Sequence, residues 1–370
     1  MIWIEGKNPA LYKGGISQWL QAILVTLDPA KLEAVTLVSP ITATDDVYPE
    51  IRVNRLRLPW FAMFPRRLNH IIYNHFIFYM AARFKKPSVI FSPYFDVTSP
   101  KSIPTIYTIH DLCFLEISHL YSRNEVRYFL WIMKKSTERA HSIVTVSNAT
   151  KDAICLTFGV DPNRVYVIPN SLNKEFKDYS PKSTEITTLR NQFDASKSLI
   201  LYTGGAETRK NLPNLAYALE ELVSRGIDAH LLFTGDVSER WKKVFTSNSN
   251  VRERVTFLGH VSNSNLKTLY LTADVVVYPS LSEGFGRACL EAMSVGIPLA
   301  CSNLPSFKEV AKDYAIFFNP NVPKEIADGV QRAIQLGRVD PVDTSKIVDF
   351  SDFDKFVEVL FELNFTGEVN

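Results

Sequence analysis

Two glutamates, Glu283 and Glu291, lie eight positions apart in the segment SEGFGRACLEAM, residues 282–293. The β-rich run VVVYP precedes this segment, and a glycine and a proline end the helical pattern that follows it. Gly284 and Gly286 are therefore expected at a helix start, where backbone amides and the helix dipole favour a phosphate group. Glu283 precedes this helix and Glu291 lies more than one turn inside it, so the two carboxylates are expected to flank the phosphate.

A nucleotide-linked sugar matches this order of groups, because it carries ribose hydroxyls, a diphosphate and the hydroxyls of the sugar. A carboxylate accepts hydrogen bonds from such hydroxyls, and each charge-assisted bond contributes about 1.5–3 kcal/mol. The alternative is structural: Glu283 caps the helix and Glu291 is a solvated surface acid. The residue types alone leave both interpretations open.

A second glycine-rich stretch, TGGAETRKN at 203–211, follows the β-rich run LILYT. Gly205 permits close backbone approach at the strand end, and Arg209 and Lys210 bring two cations to the start of the next helical pattern. These residues are suited to neutralising a diphosphate without a metal ion. The alternative is that the two cations are a solvated helix start.

The first half of the chain contributes two further candidates. Gly14 and Gly15, in YKGGIS, form a flexible turn before a helix, but the chain contains no G-x-G-x-x-G, which argues against a nicotinamide-dependent oxidoreductase. His110 and Asp111 follow the β-rich run TIYTI directly. An imidazole at a strand end can bind a sugar hydroxyl or stabilise developing charge. The structural alternative, a satisfied histidine, stays open.

No metal site is expected. The Asp-x-Asp pattern in DFSDFD, residues 349–354, precedes an amphipathic helix, where Ser and Asp are common caps. The four cysteines match no zinc spacing and are expected to be reduced, buried thiols.

Short β-rich runs alternate with helical patterns along the whole chain, which predicts parallel sheets with helices on both faces. The runs are at 34–39, 88–92, 105–109, 142–146, 165–168, 199–203, 230–235, 255–259, 275–279 and 314–318.

A polar linker-like stretch, residues 173–198, separates the two groups of strands. The length of 370 residues also favours two domains. We expect an α/β fold with a first Rossmann-like domain at 1–180, a second at 181–345, and a terminal helix at 346–370 that crosses back to the first. Two doubly wound domains would face each other across a cleft, with ligands at the strand ends.

Charge and hydropathy restrict the partners. A net charge of +2 argues against a nucleic-acid-binding protein. The longest apolar run, residues 68–82, is too short to span a bilayer, and the first residues do not resemble a signal peptide, so a cytoplasmic location is expected. Residues 58–86 mix aromatic, apolar and basic side chains, which is typical of peripheral contact with the inner face of the plasma membrane. The alternative is a packed amphipathic helix with a solvated basic end.

Taken together, these motifs resemble the retaining GT-B glycosyltransferases of group 1, the family 4-like type with an E-x7-E motif. Glu283 and Glu291 correspond to that motif. The resemblance extends over nearly the whole chain, through YKGGIS (12–17), IHDL (109–112), VTVSNAT (144–150), VYVIPNSLN (165–173), ETRKNL (207–212), GHVSNSNLKTLY (259–270), VGIPLACSN (295–303) and FFNP (317–320).

The resemblance implies a role for each candidate residue. In the family pattern Glu291 would bind the donor ribose, and Glu283 would lie at the transferred sugar, with His110 and Asp111 near the reacting face. The remaining donor-site residues would hold the diphosphate, the sugar or, for Val261, the base: Gly14, Gly15, Gly205, Arg209, Lys210, Val261, Phe285, Gly286 and Arg287. Many relatives have an arginine where this chain has Gly205, so the phosphate clamp would depend more on Arg209 and Lys210.

The resemblance implies a metal-independent hexosyltransferase that retains anomeric configuration and uses no cofactor. Its donor would be a nucleotide diphosphate sugar, with UDP-glucose considered first and GDP-mannose second. Its acceptor would be a saccharide or a lipid-linked glycan in polysaccharide or surface glycan synthesis. Two alternatives remain: a nucleotide-sugar epimerase, and a catalytically silent sugar-nucleotide-binding protein.

Overall fold

The computed structural model describes residues 1–5, 15–40, 51, 53–58, 66–193, 196–247 and 249–366. The chain divides into two compact units. The first unit contains residues 1–112, 121–170 and 349–370, and the second contains residues 113–120 and 171–348.

The first unit is built on a parallel sheet that has seven strands among the described residues, in the order β3-β2-β1-β4-β5-β6-β7. Every residue of the four strands β1, β4, β5 and β6 is buried, because both faces of a parallel sheet are covered. The strands are β1 (Ile2–Glu5), β2 (Val35–Pro40), β3 (Asn54–Leu58), β4 (Val89–Ser92), β5 (Thr105–Thr108), β6 (Ser142–Thr145) and β7 (Val165–Val167).

Helices connect these strands. Between α3 and α4 the chain forms one π-helical segment, Tyr73–Ile77, which buries the consecutive residues Tyr73 and Asn74. The helices of this part of the chain are α1 (Gly15–Thr26), α2 (Pro29–Glu33), α3 (Arg66–Ile72), α4 (Phe78–Lys85), α5 (Cys113–Glu116), α6 (Arg123–Arg139) and α7 (Asn148–Phe158), of which α5 belongs to the second unit.

The second unit is built on a parallel sheet that has six strands in the described part of the chain, in the order β10-β9-β8-β11-β12-β13. The sequence order reverses between β8 and β11, and such a switch point is where open α/β sheets bind ligands. The strands are β8 (Ser198–Thr203), β9 (Ala229–Thr234), β10 (Val255–Gly259), β11 (Val275–Tyr278), β12 (Leu299–Ser302) and β13 (Ala315–Phe318).

Apolar helix faces complete the core of the second unit. Leu215, Leu219 and Leu222 of α10 pack with Ile326 and Val330 of α15 in one buried cluster. The helices are α8 (Lys174–Asp178), α9 (Ser183–Arg190), α10 (Leu212–Ser224), α11 (Glu239–Thr246), α12 (Asn263–Thr272), α13 (Arg287–Ser294), α14 (Pro305–Ala311) and α15 (Pro323–Leu336).

The last helix, α16 (Ser351–Thr366), packs in the first unit. The carboxylate of Asp352 accepts a hydrogen bond from the amide of Val167 at 3.0 Å, and the Phe356 ring lies 5.1 Å from the Phe91 ring. Asp352 and Asp354, the two residues of the Asp-x-Asp pattern, lie inside the first turn of α16, so they do not precede the helix as predicted. The carboxylate that meets an amide at the helix start is that of Asp349, which accepts from Ser351 at 2.8 Å.

The α/β fold with two doubly wound Rossmann-like domains is confirmed, and each predicted β-rich run overlaps an observed strand. All four cysteines are free thiols, as expected, although Cys113 and Cys155 are only half-buried. None of the helices in the described ranges is both long and apolar enough to cross a membrane.

Candidate functional site

Four of the predicted site residues of the second unit lie on two loops that leave the sheet at its switch point. One loop follows β8 and contains Gly205, Arg209 and Lys210; the other follows β11 and contains Glu283. The loops are joined by a backbone hydrogen bond from the amide of Leu281 to the carbonyl of Arg209 at 2.8 Å. Parallel topology therefore brings together residues that are more than seventy positions apart in the sequence.

Glu283 pairs with both cations of the other loop. Its Oε1 accepts from Lys210 Nζ and its Oε2 from Arg209 Nη1, each at 2.6 Å, and Ser280 Oγ donates to Oε1 at 2.8 Å. The Glu283 side chain is only 14% exposed. Burial alone would raise the pKa of this carboxyl, but Lys210 and Arg209 outweigh burial and lower the pKa to about 2. Glu283 is thus held as a carboxylate between two cations.

The contacts of Glu283 with Arg209 and Lys210 exclude the structural alternatives for these residues, a helix cap and a solvated helix start. Arg209 and Lys210 are mostly buried, so they are not a solvated helix start. Glu283 is not a helix cap either, because α13 begins after Gly286 without a side-chain cap. The three side chains together carry one net positive charge, and the Glu207 carboxylate, which accepts from Arg209 Nε at 2.7 Å, offsets this charge from the solvent side. Because Glu207 is 60% exposed, its pairing with Arg209 is weak, and an anionic ligand can replace it.

Asn211 fixes the backbone around these residues. It adopts a left-handed conformation with φ of 59°, and its buried Nδ2 donates to the carbonyls of Pro279 at 3.1 Å and Pro320 at 2.7 Å. The loops after β8, β11 and β13 are therefore held by one amide group. Asn211 is not among the predicted site residues.

Two glycines are required by close contacts. A Cβ atom on Gly286, which has φ of 111°, would lie 2.7 Å from Phe307 Cδ1. A Cβ atom on Gly235, after β9, would lie 2.5 Å from the carbonyl oxygen of Gly204. Gly286 thus permits the tight turn from Phe285 into α13, while Gly235 lets the loops after β8 and β9 touch. Gly205 has no comparable contact: a Cβ atom there would meet Glu207 Oε1 at 3.7 Å.

Glu291 lies in the middle of α13 and is only 5% exposed, so the prediction of a solvated surface acid is wrong. Its Oε2 accepts from the Tyr270 hydroxyl at 2.8 Å, and its Oε1 lies 3.4 Å from Arg287 Nε. Tyr270 is on α12 and is absent from the predicted site. The sequence gives no signal for it, because a tyrosine in a helix with other apolar residues is typical of the core.

Val261 follows β10, which lies two strands away from β8 in the sheet. Adjacent strands are about 4.8 Å apart, so β10 is roughly 10 Å from β8. That distance is comparable to the length of a nucleoside. Val261 is half-buried, and Ser262 next to it caps α12 by accepting from the amide of Asn265 at 3.3 Å.

His110 and Asp111 belong to the first unit and follow β5. The Nε2 atom of His110 lies 2.9 Å from the carbonyl oxygen of Pro93, which can only accept, so Nε2 carries the proton and Nδ1 is the acceptor in the neutral ring. The Trp19 ring packs edge-on against this imidazole, with centroids 5.0 Å apart. Gly15 begins α1, whereas Gly14 lies outside the described residues.

Metal ligands are not grouped in the described ranges: no three His, Cys, Asp or Glu side chains there are placed to hold an ion. The polar groups that the site offers are carboxylates, cations, hydroxyls and backbone amides at a helix start. This set of groups is suited to a ligand that carries both hydroxyls and phosphates.

The chain matches two protein-family models. Residues 185–343 match the model described as glycosyl transferases group 1, and residues 14–176 match the model described as glycosyltransferase family 4. The chain is 30% identical over 237 residues to the O-antigen chain mannosyltransferase B of Escherichia coli, a match that covers 62% of this chain and 61% of that protein's own length.

Solved structures share the fold over nearly the entire chain. The sucrose-phosphate synthase of Thermosynechococcus elongatus is similar with a TM-score of 0.72 and 18% identity, and 99% of each chain is covered. Anabaena HepE in complex with UDP-glucose is similar with a TM-score of 0.66 and 16% identity, over 99% of this chain and 97% of that one. These similarities, at such low identity, are evidence of the fold alone.

Replacement of Glu283 should change how the free energy of unfolding depends on pH, because the negative charge of this side chain is removed. Because the folded-state pKa lies below the ordinary value of 4.5, the carboxylate stabilises the fold above pH 4.5, and this contribution is lost as the pH falls towards about 2. We expect Glu283→Gln to reduce the free energy of unfolding by about 2–3 kcal/mol at pH 7, and by progressively less below pH 4.5. Urea unfolding of both proteins between pH 7 and pH 3 measures this difference.

The matched control is Glu207→Gln. Glu207 also accepts from Arg209, at 2.7 Å, but it is exposed, so its replacement should cost less than about 1 kcal/mol. A Glu283→Gln effect that stays constant from pH 7 to pH 3 would contradict the charged pairing.

Proposed function

Since the chain belongs to the group 1, family 4-like glycosyltransferases, we propose that it transfers a hexosyl group from a nucleotide diphosphate sugar to a saccharide or lipid-linked acceptor. The observation that carries this proposal is the buried pairing of Glu283 with Arg209 and Lys210 at the switch point of the second sheet. A diphosphate that takes the place of the exposed Glu207 carboxylate at Arg209 can pair with both cations, beside a helix start that favours phosphate.

Each side chain then has a role in donor binding. Arg209 and Lys210 bind the diphosphate, and Phe285 and Gly286 offer backbone amides at the start of α13. Glu291 accepts from the ribose, and Glu283, once the diphosphate shares its cations, accepts from the transferred sugar. The other donor-site residues carried over from the family pattern are Gly14, Gly15, Gly205, Val261 and Arg287.

The transferred sugar is proposed to be mannose. The E. coli relative at 30% identity is named a mannosyltransferase, whereas the structure that contains UDP-glucose is only 16% identical. A GDP-mannose donor is therefore placed ahead of UDP-glucose, which reverses the order expected from sequence. We propose that the anomeric configuration is retained, and that Arg209 and Lys210 replace a metal ion at the diphosphate.

Calorimetric titration with UDP, GDP and ADP in excess chelator tests the donor site. One diphosphate should bind preferentially without a metal ion. Glu291→Ala should weaken its binding by about 1.5–3 kcal/mol, because a charge-assisted hydrogen bond is lost. Glu239→Ala, on an exposed face of α11, is the control and should leave affinity unchanged. Absence of binding to all three nucleotides, or binding that requires magnesium or manganese, would contradict the proposal.

Turnover separates the enzyme from the two alternative functions. Labelled GDP-mannose and UDP-glucose, incubated with crude lipid-linked glycans, should give a labelled glycan whose new linkage has the anomeric configuration of the donor. An epimerase would release nucleotide and free sugar without any acceptor. A silent binding protein would bind nucleotide without releasing product.

His110→Ala should reduce kcat by roughly 10²-fold, because an imidazole that stabilises developing charge is removed, while nucleotide affinity changes little. The control is His141→Ala, a half-buried histidine of the same unit that contacts Ser142. An unchanged kcat in His110→Ala would remove His110, and with it Asp111, from the transfer step.

We also propose that the segment 58–86 contacts an anionic membrane. From residue 66 to residue 86 the sequence has five Arg and Lys and no acidic residue. In its described part, Phe78 and Ala82 are buried, whereas Phe76 and Phe84 are exposed, Phe84 by 74%. Residues 66–85 thus form a packed helical stretch, yet Phe76 and Phe84 are exposed near the basic residues Arg83 and Lys85, a combination that suits anionic lipid.

Vesicle flotation tests this contact. The protein should float with vesicles that contain anionic lipid, less so in high salt, and Phe76→Ser combined with Phe84→Ser should abolish flotation. Leu156→Ser is the control, since Leu156 is 89% exposed elsewhere on the same unit. Equal flotation of the double variant and the native protein would contradict the proposed membrane contact.

A further inference from the structure

Glu291 contacts one of three hydroxyl groups that hydrogen-bond to one another at the carboxyl ends of β8 and β11. Thr203 and Tyr278 are the last residues of these strands, and Tyr270 comes from α12. The Tyr270 hydroxyl lies 2.7 Å from that of Tyr278 and 3.0 Å from Thr203 Oγ1, and Thr203 also contacts Tyr278. Tyr270, Tyr278 and Glu291 are buried, so this polar network is closed off from most of the solvent.

The donor and acceptor roles of Tyr270 in this network are defined. The carboxylate of Glu291 can only accept, so the Tyr270 hydroxyl donates its proton to Oε2. The oxygen of Tyr270 is then an acceptor for the other two hydroxyls, and at least one of Tyr278 and Thr203 donates to it. Hydrogen bonds aligned in this way polarise one another, and they direct their positive ends towards Glu291.

The tyrosines remain donors across the working pH range. Burial raises the pKa of Tyr270 and of Tyr278 well above the ordinary value, and the nearby charge of Glu291 raises both further. The network is therefore neutral apart from Glu291, and it supplies that carboxylate with a partner that does not titrate.

The arrangement makes the two oxygens of Glu291 unequal. Oε2 is committed to Tyr270 at 2.8 Å, whereas Oε1 lies 3.4 Å from Arg287 Nε, which is longer than a charge-assisted hydrogen bond. We propose that Tyr270, supported by Tyr278 and Thr203, is the positioning residue that points Oε1 of Glu291 at a ribose hydroxyl and so makes the site specific for ribonucleotides. This inference rests on the proposed function.

Discrimination between a ribonucleotide and its deoxy analogue measures this positioning directly. The affinities of the preferred nucleoside diphosphate and of its 2′-deoxy and 3′-deoxy forms are measured by calorimetry. In the native protein at least one deoxy form should bind 10-fold or more weakly, as expected for a lost hydrogen bond to a carboxylate, at about 1.5–3 kcal/mol. In Tyr270→Phe the ratio of affinities should fall to about threefold or less, and the ribonucleotide itself should bind about tenfold more weakly.

Two further variants separate positioning from a general structural effect. Tyr278→Phe keeps the Tyr270 donor and should give an intermediate ratio. Tyr314→Phe removes a hydroxyl that donates to the carbonyl of Ile297 at 2.8 Å in the same unit, and it should keep the native ratio. The ratio compares two ligands on one variant, so a smaller folded fraction affects both affinities alike.

The outcomes are distinct. A native protein that binds no nucleoside diphosphate would overturn the proposed function and this inference together. A native protein that binds a nucleotide but does not distinguish it from either deoxy form would leave the donor site in place and overturn the inference. A native ratio preserved in Tyr270→Phe would likewise overturn it, since Glu291 would then hold its orientation without the hydroxyl.

Discussion

The carboxylate of Glu283 between Arg209 and Lys210 is the interaction on which the site of the second unit depends. Three charged groups that are largely removed from water are tolerable only if they are paired, since isolated buried charges carry a large desolvation cost. Here each Glu283 oxygen meets one cation at 2.6 Å. These contacts fix the distance between the loops after β8 and β11. The backbone hydrogen bond from Leu281 to Arg209 holds the two loops at the same distance.

The backbone around this cluster is fixed independently of the charges. Asn211 donates to two carbonyls from two other loops, and Ser306 Oγ donates to the carbonyl of Glu283 at 2.6 Å. These bonds join uncharged groups, so they persist when the charges are shared with a ligand. The loops can therefore stay in place while Glu283, Arg209 and Lys210 exchange partners, which is the behaviour expected of a preorganised anion site.

Much of the fold could be predicted from sequence, because buried parallel strands read as short β-rich runs. Strand β12, with the sequence LACS, lacks β-branched residues, and the edge strand β3, NRLRL, is largely polar, so neither gave a strand signal. The motif loops of the site were recognisable from glycines and charges. The pairing of Glu283 with Arg209 and Lys210 and the hydrogen bond from Tyr270 to Glu291 were not, because they join different elements of the unit and leave no local pattern.

The two glutamates of the motif are stabilised in opposite ways. Glu283 is balanced by two cations at hydrogen-bond distance, whereas Glu291 accepts from the uncharged Tyr270 hydroxyl and lies 3.4 Å from its one cationic neighbour in the described residues, Arg287. An arriving diphosphate competes with Glu283 for Arg209 and Lys210, but it offers nothing that would displace Tyr270 from Glu291. A negatively charged ligand should therefore weaken the contacts of Glu283 and leave Glu291 in place. The motif thus combines two different glutamates. Glu283 exchanges its partners when a charged ligand binds, whereas the orientation of Glu291 is fixed beforehand by Tyr270.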